Sequence, residues 1–89
     1  MFDLKNVVEQ DVEKELESVL DDMGETVCRC ENCRNDMAAF ALNRLRPSYV
    51  RTDKGEFYHK INASSEQSKS EVHSAVMSAV SVVSMNPNH

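Results

Sequence analysis

Cys28-Arg-Cys30-Glu-Asn-Cys33-Arg-Asn-Asp36-Met-Ala-Ala-Phe40-Ala-Leu-Asn43-Arg44-Leu45-Arg46-Pro47-Ser-Tyr49-Val50 lies in the middle of an 89-residue chain and sets its organisation. Three thiols within six residues demand a bent loop. From Asn35 or Asp36 onward, Met37, Phe40, Ala41 and Leu45 recur at helical spacing, with Asp36 well placed as an N-cap. Pro47 stops this short second helix, because the residue before a proline avoids helical geometry.

Upstream, Leu4, Val8, Val12, Leu16, Val19, Leu20 and Met23 recur every three or four residues among acids, which predicts an amphipathic helix over residues 3–23, closed by Gly24. Downstream, Tyr49, Val50 and Thr52, then Phe57, Tyr58 and Ile61, flank Asp53-Lys54-Gly55, a pattern that predicts a small β-hairpin. Ser64 and Gln67 match a capping box for a last helix. That helix carries Val72, Ala75, Val76, Ala79, Val80 and Val83 on one stripe and ends at Pro87. The expected fold is therefore α+β and predominantly helical: helix, cysteine-rich metal loop, short helix, β-hairpin, long C-terminal helix. The apolar stripes on the first and last helices predict a homodimer that covers them.

A 10.1 kDa chain closes only about 60 to 65% of its unfolded surface, which makes one domain of it. No apolar run approaches the roughly 18 residues of a membrane span, and Met1-Phe2-Asp3 lacks a basic and then hydrophobic leader, so a cytoplasmic protein is expected. The net charge of −5 is unevenly spread. Residues 1–27 hold nine acids against two bases, whereas residues 28–62 hold seven bases against four acids. A small anion would seek the middle, while the acidic first helix would repel a nucleic-acid polymer.

Cys28, Cys30 and Cys33 crowd too closely for a secreted disulfide framework and suit a reducing compartment. Soft thiolates at this spacing can wrap one tetrahedral cation, with zinc the leading choice, and Arg29 and Arg34 are expected to favour the thiolates. A fourth ligand must come from His59, His73, His89, a partner chain or water. His89, at the chain end, is the first choice. Thiol redox chemistry through Cys30 and Cys33 lacks the βαβ context that supports it, and Glu31 is the loop's only acid for hydrolysis.

Cys-x-x-Cys-x-x-Asp, then Ala-Leu-Asn-Arg-Leu, then Pro-x-Tyr over residues 30–49 resembles the core pattern of the ComFB family, the late-competence-protein domain. The acidic first helix and the Val/Ala-rich last helix fall in the same order, so the likeness covers almost the whole chain. Arg46 stands where many members carry proline, and Cys28 is additional to the usual pair. The resemblance implies a small cytoplasmic dimer, with metal-binding cysteines in some members and cyclic di-GMP reception in others. Asp36 can accept from a guanine edge, Arg44, Arg46 and Arg51 can meet phosphate or guanine oxygen, Asn43 can bond a base, and Tyr49 can stack on one. The expected function is a binding module and not an enzyme, a cyclic di-GMP receptor acting through a protein partner. The alternative is a structural zinc protein without a small ligand.

Overall fold

The computed structural model describes residues 4–51, 53–63 and 65–85. A two-residue strand, β1 (Lys5–Asn6), leads into helix α1 (Val8–Met23); a 3₁₀ turn (Gly24–Thr26) and the cysteine loop follow. Helix α2 (Glu31–Arg44), strand β2 (Tyr49–Val50), helix α3 (Asp53–Ala63) and helix α4 (Glu66–Met85) complete the order. The predominantly helical α+β class is observed, with a Cys-rich loop between the first two helices.

Helix α1 buries Val8, Val12, Leu16, Val19 and Leu20, the stripe its spacing marks. It stops at Gly24, whose φ of +63° is costly for any residue bearing a Cβ. The cap N–H of Gly24 bonds the Leu20 carbonyl, and the Thr26 hydroxyl donates to the Met23 carbonyl at 2.8 Å.

Helix α2 begins earlier than its apolar period suggests. Cys30 is extended and serves as N-cap, its sulfur accepting the Cys33 N–H at 3.4 Å. Asp36 consequently lies inside the helix and is no cap; a thiol takes the place that a carboxylate or hydroxyl more often holds. The helix is 14 residues long, not short.

The hairpin expected over residues 49–61 does not form. β2 pairs antiparallel with β1, Lys5 opposite Val50 and Asn6 opposite Tyr49. The Asn6 side-chain oxygen accepts from Ser48 N–H at 2.9 Å and from Val8 N–H at 3.2 Å, while Val7 N–H bonds the Ser48 carbonyl at 2.9 Å. One asparagine thus closes the sheet and opens α1. Residues 53–63 are instead helical, with Phe57, Tyr58 and Ile61 at three-four spacing on an exposed face and Glu56 and His59 partly buried. Gly55, in the first turn of that helix, interrupts none of its later turns.

Helix α4 is capped one residue later than the Ser64 box implies: Ser65 Oγ accepts Ser68 N–H at 3.3 Å, and Gln67 donates instead to Glu71 at 3.4 Å. Ser64 itself and the Pro87 stop lie outside the described residues. Ala75, Val76, Ala79, Val80 and Val83 bury against Cys33, Met37 and Ala41 of α2 and the apolar stripe of α1. Ala41 and Ala79 are wholly buried, and their small side chains let α2 and α4 lie close, in the most extensive helix pairing of the fold. The valine stripe that motivated a homodimer is therefore covered by the chain's own helices, since this fold brings three apolar stripes to one core.

Candidate metal centre and anion groove

The turn after α1 and the first turn of α2 bring three sulfurs together. The Sγ atoms of Cys28, Cys30 and Cys33 all lie within 4.8 Å of one another. Tetrahedral zinc–thiolate bonds of about 2.3 Å set sulfurs about 3.8 Å apart, so a small contraction fits an ion here. Cys33 is buried in the core, Cys28 is half-buried, and Cys30 is exposed, which leaves the open side to a fourth donor. Burial pushes the Cys33 thiol up to about 12, reinforced by thiol hydrogen bonds to Cys28 and Cys30 and then by their charges. Such a triad cannot carry three negative charges unaided, and a cation at its centre reverses that balance.

Arg29, within the triad's sequence, and Arg34, just after it, are both ion-paired with acids of α1. Arg29 bonds Asp21 at 2.9 Å and lies 3.9 Å from Glu17, and Arg34 pairs with Glu17. These pairs link the loop and α2 to the acidic face of α1. His59 and His73 are likewise committed elsewhere, to Asp11 and Glu15 respectively, each at 2.7 Å. Among the described residues the only His, Cys, Asp or Glu cluster suited to a metal is the cysteine triad. His89 lies outside the described residues.

A second feature is a groove of about 1610 Å³ where α1, the segment after α2, α3 and α4 meet. Arg44, Arg46, Lys14 and Lys69 bring positive charge to it, and Ser48, Ser68, Ser70 and Ser74 bring hydroxyls. Three acids are also in its wall: Asp11 and Glu15, engaged by the two histidines, and Glu71, which accepts from Gln67. The Arg44 guanidinium stacks over Phe40, 5.0 Å from the ring centroid, which holds its plane at the groove edge. Of the six ligand-binding residues expected from sequence, the groove gathers Arg44 and Arg46. Asp36 is half-buried on α2, Asn43 is exposed near that helix's end, and Tyr49 and Arg51 are exposed at and after β2; none of these four lines the groove. Lys14 and Lys69 escaped the sequence reading because one sits within the acidic helix and the other in a serine-rich stretch. Their signal was slight: Lys14 is the single base between residues 6 and 27.

Among the described residues, four helices and a small two-stranded antiparallel sheet, with one cysteine of the thiol cluster capping the second helix, define a predominantly helical α+β module. A family model described as "Late competence development protein ComFB" matches residues 5–87, and the chain belongs to the ComFB family. The chain is similar to the competence protein ComFB of Bacillus subtilis (strain 168), with 32% identity over 77 residues, 86% of this chain and 79% of that one. A solved structure, reported as the structural characterization of the late competence protein ComFB from Bacillus subtilis, matches with a TM-score of 0.83 and 29% identity. That match covers 96% of this chain and 92% of the other.

Proposed function

We propose that this chain is a cytoplasmic receptor for a cyclic dinucleotide, with cyclic di-GMP the favoured ligand, which passes its signal to a protein partner. The observation that carries the reading is the groove in which Arg44 and Arg46 converge with Lys14 and Lys69. The two phosphates lie on opposite sides of one macrocyclic ring and are best met by cations from more than one wall, and here α1, the segment after α2, and α4 each contribute. Charge-assisted hydrogen bonds from such side chains supply affinity, and the guanidinium planes can stack on purine faces. The serines offer bonds to ribose hydroxyls and phosphate oxygens. No described helix is long and apolar enough to cross a membrane.

The cysteine triad supports a structural zinc ion, with Cys28, Cys30 and Cys33 as ligands and His89 proposed as the fourth. Zinc there would pin the start of α2 to the end of α1 and so fix the far end of α2, where Arg44 stands. The module binds and transmits; it is not proposed as an enzyme. The late-competence naming of the relatives suggests that the partner belongs to a regulated cellular programme. Calorimetric titration with cyclic di-GMP, cyclic di-AMP and GTP tests the ligand class: saturable binding of the first, with weaker binding of the others, supports the receptor. Absence of binding by all three favours the structural zinc module.

A further inference from the structure

The cluster before and within the first turn of α2 is made of sulfur alone. Among the described residues Cys28, Cys30 and Cys33 are its only members, and His59 and His73 are hydrogen-bonded to Asp11 and Glu15. Each cysteine is held by a different part of the local fold. Cys28 packs against the core after the extended Val27, Cys30 caps α2 in an extended conformation, and Cys33 lies in the first turn, 1% exposed. Arg29 with Asp21 and Arg34 with Glu17 link the chain to α1 on either side of Cys30. The protein's own packing and ion pairs thus converge the three sulfurs to within 4.8 Å of one another, and little ordering is left to a ligand.

Three converged thiols differ from four in what they hold best. A divalent cation on three thiolates leaves one negative charge over and takes a fourth donor to complete its tetrahedron. The surroundings compensate such a charge poorly: both nearby arginines are paired with acids of α1, and Cys33 belongs to the apolar core. A neutral occupant is cheaper there. A trivalent, thiophilic metalloid meets both conditions, because three sulfurs complete its pyramidal coordination, its lone pair takes the fourth direction, and the product carries no net charge. Cys30, which is exposed, gives such a ligand its way in.

We infer that the cysteine triad is a three-coordinate site for a trivalent thiophilic metalloid, with arsenite as its representative. Loading is a condensation without change of oxidation state. Neutral arsenous acid meets three thiols; three arsenic–oxygen and three S–H bonds break, three arsenic–sulfur bonds form, and each thiol proton leaves with a hydroxide as water. The product spans the segment after α1, the cap of α2 and its first turn. The inference uses the same three sulfurs as the zinc reading but needs no fourth ligand, so the two stand or fall separately.

Titration of arsenite into the reduced full-length chain tests it, followed by sulfur-to-arsenic absorption in the near ultraviolet and by intact mass. Wild type should saturate at one arsenic per chain, with an apparent dissociation constant on the order of micromolar or below. Cys28→Ser, Cys30→Ser and Cys33→Ser each leave two thiols and should bind roughly tenfold more weakly or worse. Cys28→Ser and Cys30→Ser carry the comparison if Cys33→Ser, altered in the core, does not fold. His59→Ala and His73→Ala should bind as wild type does. Wild-type affinity in Cys28→Ser or Cys30→Ser, more than one arsenic per wild-type chain, or a wild type that takes up none would overturn the inference. Zinc content of the purified protein is read separately: arsenite bound by a chain that retains no zinc upholds this site and removes the zinc reading, and zinc retained with no arsenite uptake does the reverse.

Discussion

The backbone N–H of Cys33 points at the sulfur of Cys30, 3.4 Å away, so a member of the thiol triad that could hold a metal is also the N-cap of α2. Thiol cluster and helix start are one structure. Burial of Cys33, one turn into the helix, pushes its thiol up to about 12.

Zinc is accordingly expected at about one per chain in protein purified without chelator. Cys30→Ala should abolish retention, and a strong chelator should lower the melting temperature of wild type but not of that variant. Metal analysis beside paired melting curves checks this; a wild-type melting temperature indifferent to chelator would count against a structural ion.

Asn6 serves two backbone donors at once, Ser48 N–H and Val8 N–H. Asn6→Ala leaves both without their acceptor and should destabilise the fold by about 1–3 kcal/mol, while Asn6→Asp keeps an acceptor and should recover most of it. Denaturant unfolding of the three proteins decides the point.

Lys5 of β1 holds the Glu56 carboxyl of α3 below its ordinary value of 4.5, chiefly through their hydrogen bond. A depressed folded-state value means stability that is present above the unfolded carboxyl's titration and lost as pH falls through the folded one. Glu56→Gln should therefore be less stable than wild type at neutral pH, with the difference vanishing as pH drops below the usual glutamate range. A difference that stays constant from neutral to acid would show that the pair contributes nothing through charge.

The helices with one uninterrupted apolar period were legible from sequence. Val8 to Leu20 and Ala75 to Val83 gave α1 and α4 because each buries a single stripe. What escaped was decided by distant partners. Tyr49 and Val50 read as a strand correctly, but their partner is Lys5–Asn6, more than 40 residues away, and local turn chemistry at Asp53-Lys54-Gly55 pointed to the wrong one. The start of α2 was misplaced because Cys30 was weighed as a ligand and not as a cap. The cysteine triad was legible because the three thiols lie within six residues, and the turn into α2 then brings their sulfurs together. The basic groove was half legible: Arg44 and Arg46 lie in the positive middle segment, whereas Lys14 and Lys69 join them only once α1 and α4 pack.

The most direct test of the receptor reading is calorimetric titration of cyclic di-GMP into wild type and Arg44→Ala at one ionic strength. Wild type should bind saturably at ligand concentrations on the order of tens of micromolar or below. Loss of the Arg44 contact should cost about 1.5–3 kcal/mol, roughly tenfold to a hundredfold in affinity, with circular dichroism unchanged. Equal affinity in the two proteins, or no binding by wild type in that range, would contradict the account.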